Sequence, residues 1–201
     1  MKKLTPKACY RKLAALYTRM ADAYADAAGR IGLSCAGCAD NCCHSYFQHH
    51  TYVEWAYLWQ GLDTLPQQRL QAYRERAQDY VDAVRIALNA GERPRAMCPL
   101  NDDGLCGVYG HRLMICRMHG VPNALVRPDG RRIQFAGCFR AQELTQEADD
   151  VFVLDRTPLY TDLVRLEMEF LGSKLRQLPR VDLTLAEMIL AGPPTLSPES
   201  A

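Results

Sequence analysis

The sequence predicts a mainly α protein whose helices pack around an irregular cysteine-rich metal-binding core, with one short β-hairpin. Three observations predict it. Five segments carry apolar residues at helical spacing. A single pair of short extended runs flanks turn residues. Nine cysteines occur in 201 residues, and only Cys9 sits inside a regular helix pattern.

The first helix is predicted over 5–31. Thr5 caps it, Pro6 suits its first turn, and Leu13, Leu16, Tyr17, Met20, Tyr24, Ala28 and Ile31 recur every three or four residues. Cys9 lies on this helix and reads as a small buried apolar residue. A second helix begins at Thr51, where Thr51 and Glu54 form a capping-box pattern ahead of Trp55, Leu58, Trp59 and Leu62. Trp55 and Trp59, four apart, read as core covering the site. Pro66 opens a third helix with Leu70, Tyr73, Ala77, Tyr80, Val81, Val84 and Leu88 on one face, and Gly91 stops it. Segment 51–90 is therefore expected to be a helical hairpin.

Residues 93–120 are rich in Gly and Cys, with a short helical turn over 111–118. Ala124-Leu-Val-Arg and Arg132-Ile-Gln-Phe flank Pro128-Asp129-Gly130, which is hairpin chemistry. A helix opens at Thr157-Pro158 and carries Leu159, Leu163, Leu166, Phe170 and Leu175. A last short one follows the capping pair Thr184 and Glu187. The expected organisation is one metal-binding domain over 1–191, with metal-binding loops at 33–50 and 93–140, the 51–90 insertion, and a flexible tail at 192–201.

Composition limits the function. Hydrophobic residues make up 48% and charged residues 23%, which argues against both a disordered chain and a membrane protein. Lys+Arg 24 against Asp+Glu 23 leaves a net charge of +1, so neither nucleic acid nor a membrane is an expected partner. Lys7, Arg11, Lys12 and Arg19 interrupt any apolar leader, and a cytoplasmic location is expected. In a reducing cytosol, thiols at short spacings read as metal ligands or redox groups before structural disulfides.

The dense cluster is Cys35-Ala-Gly-Cys38-Ala-Asp-Asn-Cys42-Cys43. Two residues between thiols let both sulfurs turn onto one metal while backbone amides point at them. Adjacent Cys42 and Cys43 rarely face the same side, so they are expected to serve different sites, or one of them to be a spare or redox-active thiol. A second group comprises Cys98, Cys106, Cys116 and Cys138. Eight thiols, Cys35, Cys38, Cys42, Cys43, Cys98, Cys106, Cys116 and Cys138, are thus the candidate ligands. The two groups are expected to converge in space.

These residues resemble a known family. The CxxCxxxCC string, then Cys98-Pro-Leu with an Asp-Gly turn, Cys106-Gly-Val-Tyr109, Arg112 and Cys116-Arg117, is similar to the YkgJ-type cysteine-cluster family of zinc- or iron-chelating proteins with eight cysteines. The likeness covers roughly 35–138. The family commonly has Arg-Pro where this chain has Arg112-Leu113, and a bulky apolar residue where it has Asn101. Flagellin lysine-N-methylases look like longer relatives with a similar cysteine module and an iron–sulfur cluster.

Eight thiolates can close two zinc sites, or four can hold a 4Fe–4S cluster. The spacing of Cys35, Cys38 and Cys42 with one distant thiol is typical of cubane ligation. Arg112 and Arg117 beside the second group offset thiolate charge, which favours the cluster. Tyr109 is expected to shield the metal by packing. His44 is a weaker candidate ligand; His49 and His50 are expected to face solvent, and His111 and His119 to lie outside the ligand set. Two functions follow. One is an iron–sulfur protein acting in redox chemistry or as the metal module of a modification system. The other is a structural zinc module that presents a surface to a protein partner.

Overall fold

The computed structural model describes residues 4–36 and 42–197, with Cys42 described by its backbone alone. Seven α-helices dominate it: α1 Pro6–Arg30, α2 Tyr52–Leu62, α3 Gln67–Asn89, α4 Met114–Met118, α5 Phe139–Thr145, α6 Thr157–Leu171 and α7 Leu185–Ala191. Among the described residues no helix is long and apolar enough to cross a membrane.

Helix α1 starts where Thr5 accepts from the Ala8 N–H at 3.3 Å, and it buries Cys9, Leu13, Leu16, Tyr17 and Met20. That face packs on α6, α4 and α2. Helices α2 and α3 follow each other closely but do not lie along one another as the expected hairpin would. Helix α3 takes α7 as its main partner, while α2 packs on α6 and α1. The reason is visible in the tryptophans. Trp59 donates its indole N–H to the Met188 carbonyl at 2.9 Å and Trp55 to the Gly192 carbonyl at 2.8 Å, so α2 is tied to the C-terminal helix.

The two Thr-x-x-Glu motifs behave differently. At α7 the capping box forms: Glu187 N–H donates to the Thr184 hydroxyl, and the Glu187 carboxylate accepts from Thr184 N–H at 2.7 Å. At α2 it does not. Glu54 turns into the core, where its carboxylate accepts from Thr51 Oγ1 at 2.8 Å, Tyr17 OH at 2.8 Å and the Met114 N–H at 2.7 Å. The first N–H groups of α2, those of Tyr52 and Val53, are met instead by Glu167 of α6, each at 2.8 Å.

The expected hairpin is present as β3 Asn123–Val126 and β4 Arg132–Phe135, antiparallel, with Leu125 opposite Ile133. It is one part of a three-stranded sheet, because β5 Leu154–Asp155 adds in parallel to β3. Two residues are too few to show a period in sequence. A second small hairpin pairs β1 Asn101–Asp102 with β2 Leu105–Cys106. Its two turn residues, Asp103 and Gly104, both have positive φ (49° and 91°), the requirement of a tight hairpin turn. Two further expectations are corrected. Leu175 lies beyond the end of α6, past Gly172, and is exposed. Within the expected tail, Leu196 packs against the core and its carbonyl accepts from Lys174 Nζ, while 198–201 lie outside the described residues.

Candidate metal centre

Loop geometry brings the second cysteine group together. The β1–β2 hairpin is clamped to α3 through Asp102, whose carboxylate accepts from Arg69 at 2.6 Å, Arg76 at 2.8 Å and Tyr73 OH. Together these donors hold Asp102 down to about 2, although burial pushes the other way. Gly107 is required at the next step, since a Cβ there would lie 1.7 Å from the Tyr73 hydroxyl. A 3₁₀ turn, Tyr109–His111, then leads into α4, which carries Cys116. Cys138 ends the sheet segment as the N-cap of α5, its N–H donating to the Gly120 carbonyl at 2.9 Å. The first group joins through the backbone: Cys98 N–H donates to the Cys43 carbonyl at 2.9 Å.

The result is a cavity of about 540 Å³ whose lining includes Cys35, Cys43, Cys98, Cys106, Cys116 and Cys138. More than 50 residues separate Cys43 from Cys98 in sequence, yet both face the same space. Cys38 lies outside the described residues, as does the side chain of Cys42. Among the described residues, no three His, Cys, Asp or Glu side chains stand close enough to hold one ion. The thiols share a wall without closing on a point.

Burial governs the protonation of Cys98, Cys106 and Cys116. It pushes the Cys116 thiol up to about 12, helped by the neighbouring Cys106 and Cys43 and opposed by Arg112. Cys98 is raised further by burial and by Cys116. Burial raises Cys106 as well, opposed by the Val108 N–H and then by Arg112 and Arg117. Metal ligation must therefore displace protons from these sulfurs.

The three flanking residues singled out in the sequence are all in the lining. Arg117 donates to the carbonyls of Arg112 and Gly110, both at 2.8 Å, and stacks 4.1 Å above the Tyr17 ring. Arg112 lies 3.8 Å over the ring of Tyr109. Tyr109 itself is 59% exposed, so it is a platform for Arg112 more than a cover.

The histidines are redistributed. His49, expected in solvent, is 5% exposed and lines the cavity, and burial lowers its pKa to about 3, keeping the imidazole neutral. Its backbone pairs with Leu183 in an antiparallel bridge, and that partner, far along the chain, is what buries it. His119 also lines the cavity, edge-on to Phe47 at 4.9 Å. His44 is not in the lining, and His50 is exposed beside Asp182. Tyr24, whose hydroxyl lies 3.8 Å from Cys35 Sγ, and Tyr80 complete the polar wall; the spacing that places Tyr24 on the helix stripe was the one available signal. No family model, curated protein or solved structure matches the chain.

Proposed function

We infer that the chain is a cysteine-cluster metal-binding protein that holds an iron–sulfur cluster, of the 4Fe–4S type, and acts in redox chemistry or as the metal module of a modification system. The observation that carries this reading is the cavity itself: six of the eight candidate thiols, drawn from separate stretches of chain, line one space. The donor set fits a soft metal or a cluster, since thiolate prefers zinc, copper(I) or iron–sulfur over hard cations. Cys35, Cys38, Cys42, Cys43, Cys98, Cys106, Cys116 and Cys138 are the residues that would hold it, and a bound cluster supplies one-electron transfer.

The chain's own residues prepare the setting. Leu58, Leu100, Val108 and Leu185 place apolar surface in the same lining as the thiols. Arg112 and Arg117 place positive charge beside Cys106, which offsets the charge of a four-thiolate cluster. The second reading is a structural zinc module that presents a protein-interaction surface. It draws support from Leu105 and Tyr109, lining residues that are 72% and 59% exposed.

Metal analysis of anaerobically purified full-length protein separates the two. A brown chromophore with iron and acid-labile sulfide is the expected result. A colourless protein with stoichiometric zinc supports the module reading. Neither metal in the purified protein overturns both.

A further inference from the structure

We propose that Arg112, stacked on Tyr109 in the wall of the cavity, anchors a binding site for a small organic carboxylate whose apolar body lies against Leu58, Leu100 and Val108. The inference goes beyond the metal reading and does not rest on it, because the guanidinium and the cavity are there whatever the thiols hold.

The starting observation is how the arginines are used. Arg69 and Arg76 grip Asp102, Arg19 grips Asp162, and Arg117 spends Nε and Nη2 on backbone carbonyls. Arg112 differs from all of these. Among the described residues its guanidinium donates no hydrogen bond, and its Nε is fully buried without an acceptor, while its backbone N–H donates to the Tyr109 carbonyl at 3.4 Å. The guanidinium lies over the Tyr109 ring at 3.8 Å, with the Cys106 and Cys116 thiols nearby. Stacking of this kind fixes the plane of the guanidinium and leaves its edge, with the parallel N–H pair, for a planar anion. Arg156 is the instructive control. Its Nε is also buried and unpartnered, over the Phe135 ring, yet it is not in the lining of this cavity.

The cavity supplies the rest. About 540 Å³ is within the range of small-molecule sites, and this one joins an apolar lining to a few convergent polar groups. A zinc or iron centre bonded to sulfur at about 2.3 Å stays at the thiol wall and does not extend along the apolar lining. A carboxylate suits the fork because two parallel N–H···O bonds match its two oxygens. An apolar body suits the leucine and valine lining, which inorganic phosphate would leave uncovered.

The test uses the full-length purified protein with benzoate as the probe, and inorganic phosphate and neutral benzamide as comparison arms, followed by saturation-transfer NMR. Iron, zinc and sulfide are measured on each sample, so that failure of the metal reading shows up separately. Saturable benzoate binding is expected, with benzamide not binding and phosphate weaker. Arg112→Gln is expected to weaken benzoate at least tenfold, about 1.4 kcal/mol. Arg112→Lys recovers only part of the affinity, because an ammonium lacks the fork. Tyr109→Ala, at an exposed position that the fold tolerates, is expected to weaken binding several-fold, and it serves as the second variant should Arg112→Gln fail to fold. Arg131→Gln, on the distant β3–β4 turn, is expected to match the wild type. Absence of benzoate binding, equal affinity in Arg112→Gln and wild type, or phosphate binding as tight as benzoate would each overturn the proposal.

Discussion

Glu54 and Arg112 are two charged side chains turned inward, and they stand in opposite situations. Glu54, between α1, α2 and α4, accepts from Tyr17, Thr51 and Met114. The guanidinium of Arg112, on the cavity wall, donates to no described residue. The contrast extends beyond the pair. In the helical frame, Glu167 meets two backbone N–H groups and both tryptophans find carbonyls. All four buried polar atoms without a partner among the described residues, on Asn101, Arg112, Asn123 and Arg156, lie outside the helices. The frame satisfies its polar groups internally and owes its stability to that and to burial. Of those four residues only Arg112 lines the cavity, so it is this guanidinium that is left for a ligand.

The largest test of this contrast is to truncate each member of the pair. Glu54→Ala strands three donors, and the buried phenol of Tyr17 and the Met114 N–H lose their acceptor outright. A destabilisation of about 3–5 kcal/mol is expected by urea denaturation. Arg112→Gln removes no hydrogen bond and is expected to cost under about 1 kcal/mol, the size of its contact with Tyr109. Comparable losses in both variants would erase the distinction between frame and wall.

A second test sharpens the frame side. Burial raises Glu167 from 4.5 to about 7, against the pull of the two backbone N–H groups it caps, with Glu54 adding to the rise. Between those values the folded chain holds a proton that the unfolded chain has released. Stability therefore falls as pH rises through this window, by about 3 kcal/mol from this group alone. Glu167→Gln should flatten the wild-type slope between pH 5 and 8. Parallel slopes in the two proteins would show that the carboxylate titrates normally.

What could be read in the sequence divides along the same line. Helices α1, α3, α6 and α7 announce themselves because their burial is periodic, from Leu13 to Met20 or from Leu159 to Phe170. Helix α5 buries only Ala141 and offers no stripe to read. The Thr51–Glu54 motif was legible as a pattern and misleading as geometry, because acceptance from Tyr17 and Met114, 37 and 60 residues away, outweighs a local cap. The cysteines were recognisable by type and spacing. His49 was not, since its burial comes from pairing with Leu183. Segment 93–120, rich in Gly and Cys, shows no apolar stripe in sequence, yet it buries Leu100, Val108, Leu113, Met114 and Met118, apolar anchors that follow no period.

Those anchors reshape what metal removal should do. With them and the Asp102 clamp in place, chelation is expected to loosen 104–112, where Leu105 and Tyr109 are exposed, and to leave 113–118 protected. An increase of about tenfold in cleavage there, about 1.4 kcal/mol, is expected in limited proteolysis. Cys116→Ser should reproduce it. Cys9→Ser, in a fully buried position on α1, should lower overall stability without that local signature. Identical digests with and without chelator would mean that the thiols do not organise the loop.

The smallest expected effect belongs to the clamp itself, where charge joins the β1–β2 hairpin to α3. Asp102 is held at about 2 by hydrogen bonds from Tyr73, Arg69 and Arg76. A carboxylate with a depressed pKa stabilises the fold above its ordinary value of 3.8, and that contribution is lost as pH falls toward 2. Its partners are half-exposed, so solvent screens the pairing and Asp102→Asn is expected to cost only about 1 kcal/mol. The consequence should instead be local. Releasing the β1–β2 turn from α3 moves the backbone that carries Cys106 while leaving α3 packed on α7. Hydrogen exchange should therefore quicken at Gly107, whose N–H donates to the Leu100 carbonyl at 2.8 Å, and stay unchanged along α3. Faster exchange throughout α3 would show that the clamp supports the helix and not the loop.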